Sequence, residues 1–240
     1  IDSVWLHFDI HDEWTEVKSV MRFRAHPECS KTKRELVLSG EDLELKQLLL
    51  DGQRLHERQY QLFDDKLVIP DVPDAFVLET DVIIKPHLNT QLCGLYKSRT
   101  NLCTQCESHG FRRITYFYDR PDILTHFTTT ISADTNDFPV LLSNGNLIEE
   151  KTLASGRHWV KWEDPSLKPC YLFALVAGDF DLLQDSFVTM SGREVELRLY
   201  VEKGFLDQAD FAMQALKNSM KWDEDTFGRE YDLDMFMIVA

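Results

Sequence analysis

Long apolar runs are missing from this sequence. No stretch of about 18 apolar residues occurs among the 240, so no segment reads as a membrane-spanning helix. Basic charge is scarce as well: 26 Lys and Arg stand against 41 Asp and Glu, a net charge of -15. A nucleic-acid surface requires clustered cations to replace the counterions of the phosphates, and this balance argues against one. Cysteine is sparse and odd in number, at Cys29, Cys93, Cys103, Cys106 and Cys170. Five scattered thiols in so long a chain do not look like a disulfide framework, so a reducing compartment and a cytoplasmic location are expected. No G-x-S-x-G, Walker loop, dinucleotide fingerprint or H-E-x-x-H is present, which removes the commonest sequence signatures of hydrolases, nucleotide binders and zinc peptidases from these residues. No secretory leader is visible, and because the chain opens at Ile1 rather than Met its true N-terminus is expected to lie upstream.

What is present reads as mainly β. In Val4-Trp5-Leu6-His7-Phe8-Asp9-Ile10-His11 apolar residues alternate strictly with the rest, the period of a half-buried strand. Residues 17–25 continue the pattern, and further strands are expected at 34–38, 43–50, 66–69, 76–85, 112–118 and 127–133. Asp51-Gly52, Pro70, Pro73 and Pro86 punctuate them. Ser143-Asn144-Gly145-Asn146 is the clearest hairpin signal, since Asn-Gly tolerates the positive φ of a primed turn. Pro121 suits the first position of a short helical turn over 121–125. Many short strands at close intervals indicate a β-sandwich or a related layered structure.

The pattern changes near Gly178-Asp179. One more alternating strand is expected at 193–201, followed by the only long helical candidate, 206–227. There Leu206, Ala209, Met213, Leu216 and Met220 form an apolar stripe, with Gly228 just past the end. Its acidic face, Asp207, Asp210, Glu224 and Asp225, reads as solvated surface, with Asp207 and Asp210 also suited to the positive end of the helix dipole. The closing run D-L-D-M-F-M-I-V-A has the composition of a strand covered on both faces. The chain is therefore expected to be a piece of a longer protein, cut within its second structural unit.

Few constellations carry chemistry by spacing alone. Cys103-Thr104-Gln105-Cys106 has C-x-x-C spacing, but no second pair completes a zinc site, and a strand rather than a helix is expected after it. Two reduced, partly buried thiols are the simpler reading. His7, Asp9 and His11 share one strand face and could meet a stray metal ion, yet a solvated polar face explains them equally. Trp159 and Trp162 could form a sugar-binding platform, with core packing the simpler use.

From Thr104 onward the chain resembles the bacterial-type aminopeptidase N group of the M1 zinc-metallopeptidase family. The resemblance rests on T-Q-C-E (104–107), F-R-R-I-T-Y (111–116), D-R-P-D (119–122) and L-L-S-N-G-N (141–146). It continues through G-R-H-W-V-K-W-E-D-P (156–165), K-P-C-Y-L-F-A-L-V-A-G-D-F-D (168–181), S-G-R-E-V-E-L-R-L-Y-V (191–201) and the whole of 216–240. Residues 1–100 fit more loosely, D-G-Q-R-L (51–55) being the most familiar piece.

The resemblance implies a saddle-like N-terminal β-sandwich over 1–179, then the truncated start of a thermolysin-like α/β catalytic domain over 180–240. It implies a zinc cofactor whose ligands, with the exopeptidase Gly-Ala-Met-Glu-Asn motif and the general base, lie beyond Ala240. The implied function of the whole protein is removal of N-terminal residues from peptides, the zinc polarising the carbonyl and activating water. Its implied partners are a peptide substrate and the rest of its own catalytic domain. The substrate-binding residues carried over by motif are Gln105, lining the pocket for the first side chain, and Glu107, binding the free α-amine. A cis peptide bond between Glu107 and Ser108 is also implied. The competing expectation for Glu107 is a plain ion pair with Arg112 or Arg113. A free-standing β-sandwich module recognising protein or carbohydrate is the alternative for the chain as a whole.

Overall fold

Alternating sequence becomes strand almost everywhere in the structure, a computed structural model that describes residues 1–27 and 34–240. Cys29 lies outside the described residues. Two compact units are present, Ile1–Gly178 and Asp179–Ala240.

The first unit contains β1 (Ser3–Ile10), β2 (Thr15–Arg24), β3 (Leu36–Ser39), β4 (Glu44–Leu50), β5 (Gln53–Arg54), β6 (Gln61–Leu62), β7 (Lys66–Ile69) and β8 (Ala75–Ile84). It continues with β9 (Gly94–Ser98), β10 (Asn101–Gln105), β11 (Leu124–Asp134), β12 (Val140–Ser143), β13 (Asn146–Thr152), β14 (Arg157–Pro169) and β15 (Leu175–Gly178). Eight strands form one sheet in the order β13-β14-β11-β1-β2-β8-β4-β5, with β1 antiparallel to β2 and parallel to β11. Smaller sheets, β12-β15-β10-β9 and β3-β7-β6, complete a sandwich-like arrangement.

The period of two explains which side chains are inside. Val4, Leu6, Phe8 and Ile10 of β1 are buried, as are Val17, Met21 and Phe23 of β2, and Leu78, Val82 and Ile84 of β8. Leu38, Leu67, Leu102, Leu141 and Leu175 bury the inner sides of the smaller sheets. Trp162 is a core residue, its indole N–H donating to the Leu141 carbonyl at 3.2 Å, while Trp159 is half-buried.

Three expectations need correction in this unit. Residues 112–118 are not a strand. Phe111–Arg113 form a short 3-10 turn, and only Phe117 makes an isolated bridge, to Ser39. Six of the nine residues from Phe111 to Asp119 are buried and the other three half-buried, and burial on every side defeats a reading by alternation. Residues 121–125 hold a turn rather than a helical one, with β11 starting at Leu124. Asn144-Gly145 turns the chain sharply, but β12 and β13 belong to different sheets and do not pair as a hairpin. Gly145 is needed there for close approach: a Cβ would lie 2.1 Å from the Glu163 carbonyl oxygen, at φ +92°. The Asn144 side chain secures the corner, donating to the Leu172 carbonyl and accepting from the Ala174 N–H.

The buried segment is packed by aromatic rings and closed by thiols. Phe111 meets Phe117 edge-on at 4.9 Å, Phe173 at 5.3 Å and Phe127 at 5.8 Å between centroids. Cys106 and Cys170 are buried, and the Cys170 thiol donates to Asp119 Oδ1 at 3.3 Å. Burial, reinforced by the Asp119 carboxylate, pushes both thiols well above the ordinary cysteine range. Cys93 and Cys103 are only half-buried.

In the second unit, β16 (Phe180–Val188), β17 (Glu194–Glu202) and β18 (Met235–Val239) form a sheet, with β17 antiparallel to β16 and parallel to β18. The helix α1 (Asp210–Phe227) follows a 3-10 turn over Leu206–Gln208 and ends at Gly228 in the left-handed conformation, φ 62°. Met213, Leu216 and Met220 pack with Val195, Leu197 and Leu199. Two expectations change here. β18 is half-buried over most of its length and pairs along one edge only among the described residues. Glu224 is not solvated: it is buried and accepts the Met190 N–H at 2.9 Å, tying α1 to the turn between β16 and β17.

Two measurements check this core. Phe111→Ala removes the central ring of the cluster and is expected to lower unfolding free energy by about 3–5 kcal/mol in urea titration; a loss below about 1 kcal/mol would contradict the packing. Since a raised thiol pKa leaves the nucleophilic thiolate scarce, alkylation of the native protein at pH 8 is expected to label Cys93 and Cys103 well before Cys106 and Cys170. Peptide mass spectrometry reads the order, and equal labelling rates before unfolding would count against it.

Candidate functional site

The T-Q-C-E stretch begins where a β-ladder runs out. β10 lies between β9 and β15, but its pairing with β15 covers only Leu102↔Ala177 and Cys103↔Val176. Beyond that point the Thr104 hydroxyl takes over, accepting the Leu175 N–H at 2.8 Å and lying 3.3 Å from the Leu175 carbonyl oxygen. The side chain thereby holds the end of β10 in place without further ladder bonds. Gln105 is the last residue of the strand and is exposed; Cys106 then turns inward and is buried.

The next residues form a tight turn. Glu107, Ser108 and His109 are exposed, Gly110 is buried, and the Gly110 N–H closes onto the Cys106 carbonyl at 2.8 Å. The Glu107–Ser108 peptide bond is cis. Glycine is required at 110 because a Cβ would sit 2.4 Å from the Gln105 carbonyl oxygen and 2.9 Å from Gly94 N. Gly94 answers it from β9: at φ +82°, its own Cβ would meet Arg113 Cβ at 2.7 Å. Two backbones thus pass in contact at the base of the turn. Gln105 and Glu107 are brought together on it, since the Gln105 amide donates to the Glu107 carbonyl oxygen at 3.3 Å.

The electrostatics of the turn depend on its two arginines. Arg112 does not pair with Glu107. Its Nε and backbone N–H donate to Asp119 Oδ2 at 2.8 and 3.1 Å, and its Nη1 lies 3.6 Å from Glu41. Asp119 itself is buried, and neighbouring carboxylates raise the Arg112 pKa despite the opposing effect of burial. Arg113 pairs with Glu41 at 2.9 Å and with Asp42. The Glu107 carboxylate has no ion-pair partner among the described residues, so the competing expectation of a pair with Arg112 or Arg113 does not hold. What remains on the turn is an exposed carboxylate, an exposed amide and a fixed backbone, which can bind a cationic group and contact whatever is attached to it.

Other candidate groups are held by structural contacts. Asp9 is paired with His11 at 3.1 Å and with Arg157, and His11 stacks on Trp14. Burial lowers the His7 pKa. Cys103 and Cys106 face different surroundings, one half-buried on β10 and one in the core. Among the described residues, no three His, Cys, Asp or Glu side chains are grouped to hold a metal ion, so a zinc ion does not fit here. Reading the sequence missed Glu41, Asp42 and Asp119 as neighbours of the turn. The glycines at 94 and 110 were the available hint, and they reveal a close approach only once the strands are paired.

Comparison with known proteins places these observations. Residues 4–172 match the model of the peptidase M1 N-terminal domain. Over all 240 residues the chain is 50% identical to aminopeptidase N of Caulobacter vibrioides and 51% identical to aminopeptidase N of Escherichia coli, spanning 27% of the length of each. A crystal structure of Legionella pneumophila aminopeptidase A in complex with aspartic acid superposes with a TM-score of 0.95 at 38% identity, covering 100% of this chain and 28% of that one. A mutant M1 zinc metallopeptidase from Deinococcus radiodurans, bound to a Tyr-Ser-Ala substrate, shares the fold at 14% identity and a TM-score of 0.80, with 100% of this chain and 56% of that one covered. The strand order, the closed turn and the sequence match agree: this chain belongs to the peptidase M1 N-terminal domain family.

Proposed function

We propose that these residues are the N-terminal part of a zinc-dependent aminopeptidase, in which Glu107 binds the free α-amino group of a peptide and Gln105 lines the pocket for its first side chain. The observation that carries this reading is the Glu107 carboxylate, without an ion-pair partner among the described residues and exposed on a closed turn, in a chain about half identical throughout to aminopeptidase N of two bacteria. An aminopeptidase has to distinguish a terminal ammonium from an internal amide. A fixed carboxylate rewards only the charged group, with a charge-assisted hydrogen bond worth about 1.5–3 kcal/mol. Holding the amine also fixes where the first peptide carbonyl lies, which is a positioning effect.

In this reading residues 1–179 are the sandwich domain, and 180–240, with α1 packed on β16–β18, begin the catalytic domain. The edge of β18 that is unpaired among the described residues suits continuation of that sheet by the rest of the same polypeptide. The zinc ligands and general base belong to that remainder, and no step of the hydrolysis is assigned to the 240 residues. A cytoplasmic enzyme is consistent with the free thiols at 93, 103, 106 and 170.

Two experiments test the assignment. In the full-length protein, Glu107→Gln is expected to lower kcat/KM for peptides with a free amine by roughly ten- to a hundredfold. Unchanged kinetics would take Glu107 out of the site. The 240-residue chain alone is expected not to hydrolyse an alanine anilide, with or without added zinc, and zinc-dependent turnover by it would refute the division of labour.

A further inference from the structure

We infer that Glu41 and Asp42 are positioning residues for amine recognition: by capturing the Arg113 guanidinium they keep the Glu107 carboxylate unpaired and available to a substrate ammonium. The inference rests on the role proposed for Glu107.

The physical problem is local competition. An arginine is permanently charged, carries five donors in a planar fork and matches a carboxylate bidentately. A carboxylate already so paired offers an incoming ammonium much less, because its charge is compensated. Arg112 and Arg113 follow Glu107 by five and six residues, and the turn folds back between them, Gly110 N–H to the Cys106 carbonyl at 2.8 Å and Arg113 N–H to the Gly110 carbonyl at 3.1 Å. Without other acceptors, both guanidiniums would be intramolecular competitors for Glu107.

The structure supplies those acceptors from Asp119, at the end of the same buried segment, and from a loop 71 and 72 residues before Arg113 in the chain. Arg112 is bound by Asp119, which is buried and also accepts the Cys170 thiol. Arg113 is bound by the loop between β3 and β4, with Nη2 at 2.9 Å from Glu41 and Nη1 on Asp42. That loop is fixed in turn by the backbone, as the Glu41 N–H donates to the Arg112 carbonyl at 3.0 Å. Glu41 also lies 3.6 Å from Arg112, so one carboxylate restrains both cations. The Arg113 side chain is only 13% exposed, whereas Glu41 is 31% and Asp42 75% exposed; Asp42 sits at φ 55°, so the loop is best altered by amides of the same shape, which keep its backbone.

The test uses the full-length enzyme and L-alanine p-nitroanilide, with urea midpoints recorded for each variant. Glu41→Gln with Asp42→Asn removes both charges that hold Arg113 and is expected to raise KM about tenfold while kcat stays within about twofold. Adding Arg113→Gln removes the freed competitor and is expected to return KM to within about threefold of the unmodified enzyme. A loss caused merely by a loosened loop would not be rescued in this way. Arg113→Gln alone, with a urea midpoint that shows it folded, is expected to leave KM unchanged. An unchanged KM in the double variant, a triple variant as impaired as the double, or a raised KM for Arg113→Gln alone would each overturn the inference. If Glu107→Gln impairs the enzyme in the same assay while the loop variants do not, only this inference falls. If Glu107→Gln has no effect, the assignment of the amine site falls and takes the inference with it.

Discussion

Everything around the candidate site depends on how one irregular segment is buried. Residues 106–119 run through the sandwich without joining a ladder, and most of them are buried. Backbone polar groups hidden in this way cost free energy unless paired. The pairing is supplied piecemeal. Ser39 exchanges both backbone bonds with Phe117, at 2.9 and 3.0 Å. Asp119 accepts the Arg112 N–H, and the Glu41 N–H reaches the Arg112 carbonyl. Three buried hydroxyls, Ser19, Thr80 and Thr115, form a closed set at 2.7, 3.0 and 3.3 Å, in which each can donate once and accept once. A turn emerging from such a segment has its backbone held from beneath, and the exposed Glu107 stands on it.

The same economy governs the second unit, with different groups. Glu224 leaves the helix surface to hold the Met190 N–H, and Glu230 holds the Ser191 N–H at 2.7 Å and its hydroxyl at 2.8 Å. Arg193 reaches the carbonyls of Leu233 and Tyr231. Charged side chains here replace the ladder bonds that short turns cannot make. In both units, long-range side-chain contacts do for loops what periodic backbone pairing does for strands.

That division explains what the sequence revealed. Strands with one wet face announce themselves by period two, so β1, β2, β8 and β17 were legible within a residue or two. Phe111–Asp119 was misread because a segment covered on all sides keeps apolar residues without a face to alternate against. Glu224 was misread because its neighbours Asp223 and Asp225 are exposed and only tertiary contact distinguishes it. Asn144-Gly145 was read correctly as a sharp turn and wrongly as a hairpin, since local chemistry sets the bend and the choice of sheet is global. The residues of the candidate site had no local signature at all: an exposed Gln and Glu two apart on a turn look like solvated surface, and only motif resemblance singled them out.

The charge balance sharpens the point. With acids exceeding bases by 15, an unpaired carboxylate is ordinary on this surface and would by itself signify nothing. Glu107 differs because two guanidiniums arise within six residues of it and neither is bound to it. Arg113 is instead committed to carboxylates brought from elsewhere in the fold, at sequence separations of 71 and 72 residues, and Arg112 to Asp119 of the same segment, 7 residues on. A solvated loop would have let the nearest charges pair, because short-range pairing in a flexible chain requires the least ordering. Burial of the segment between Gly110 and Asp119 goes together with the long-range pairing of Arg113. The charge pattern of the turn is thus set as much by the packing beneath it as by the residues on it.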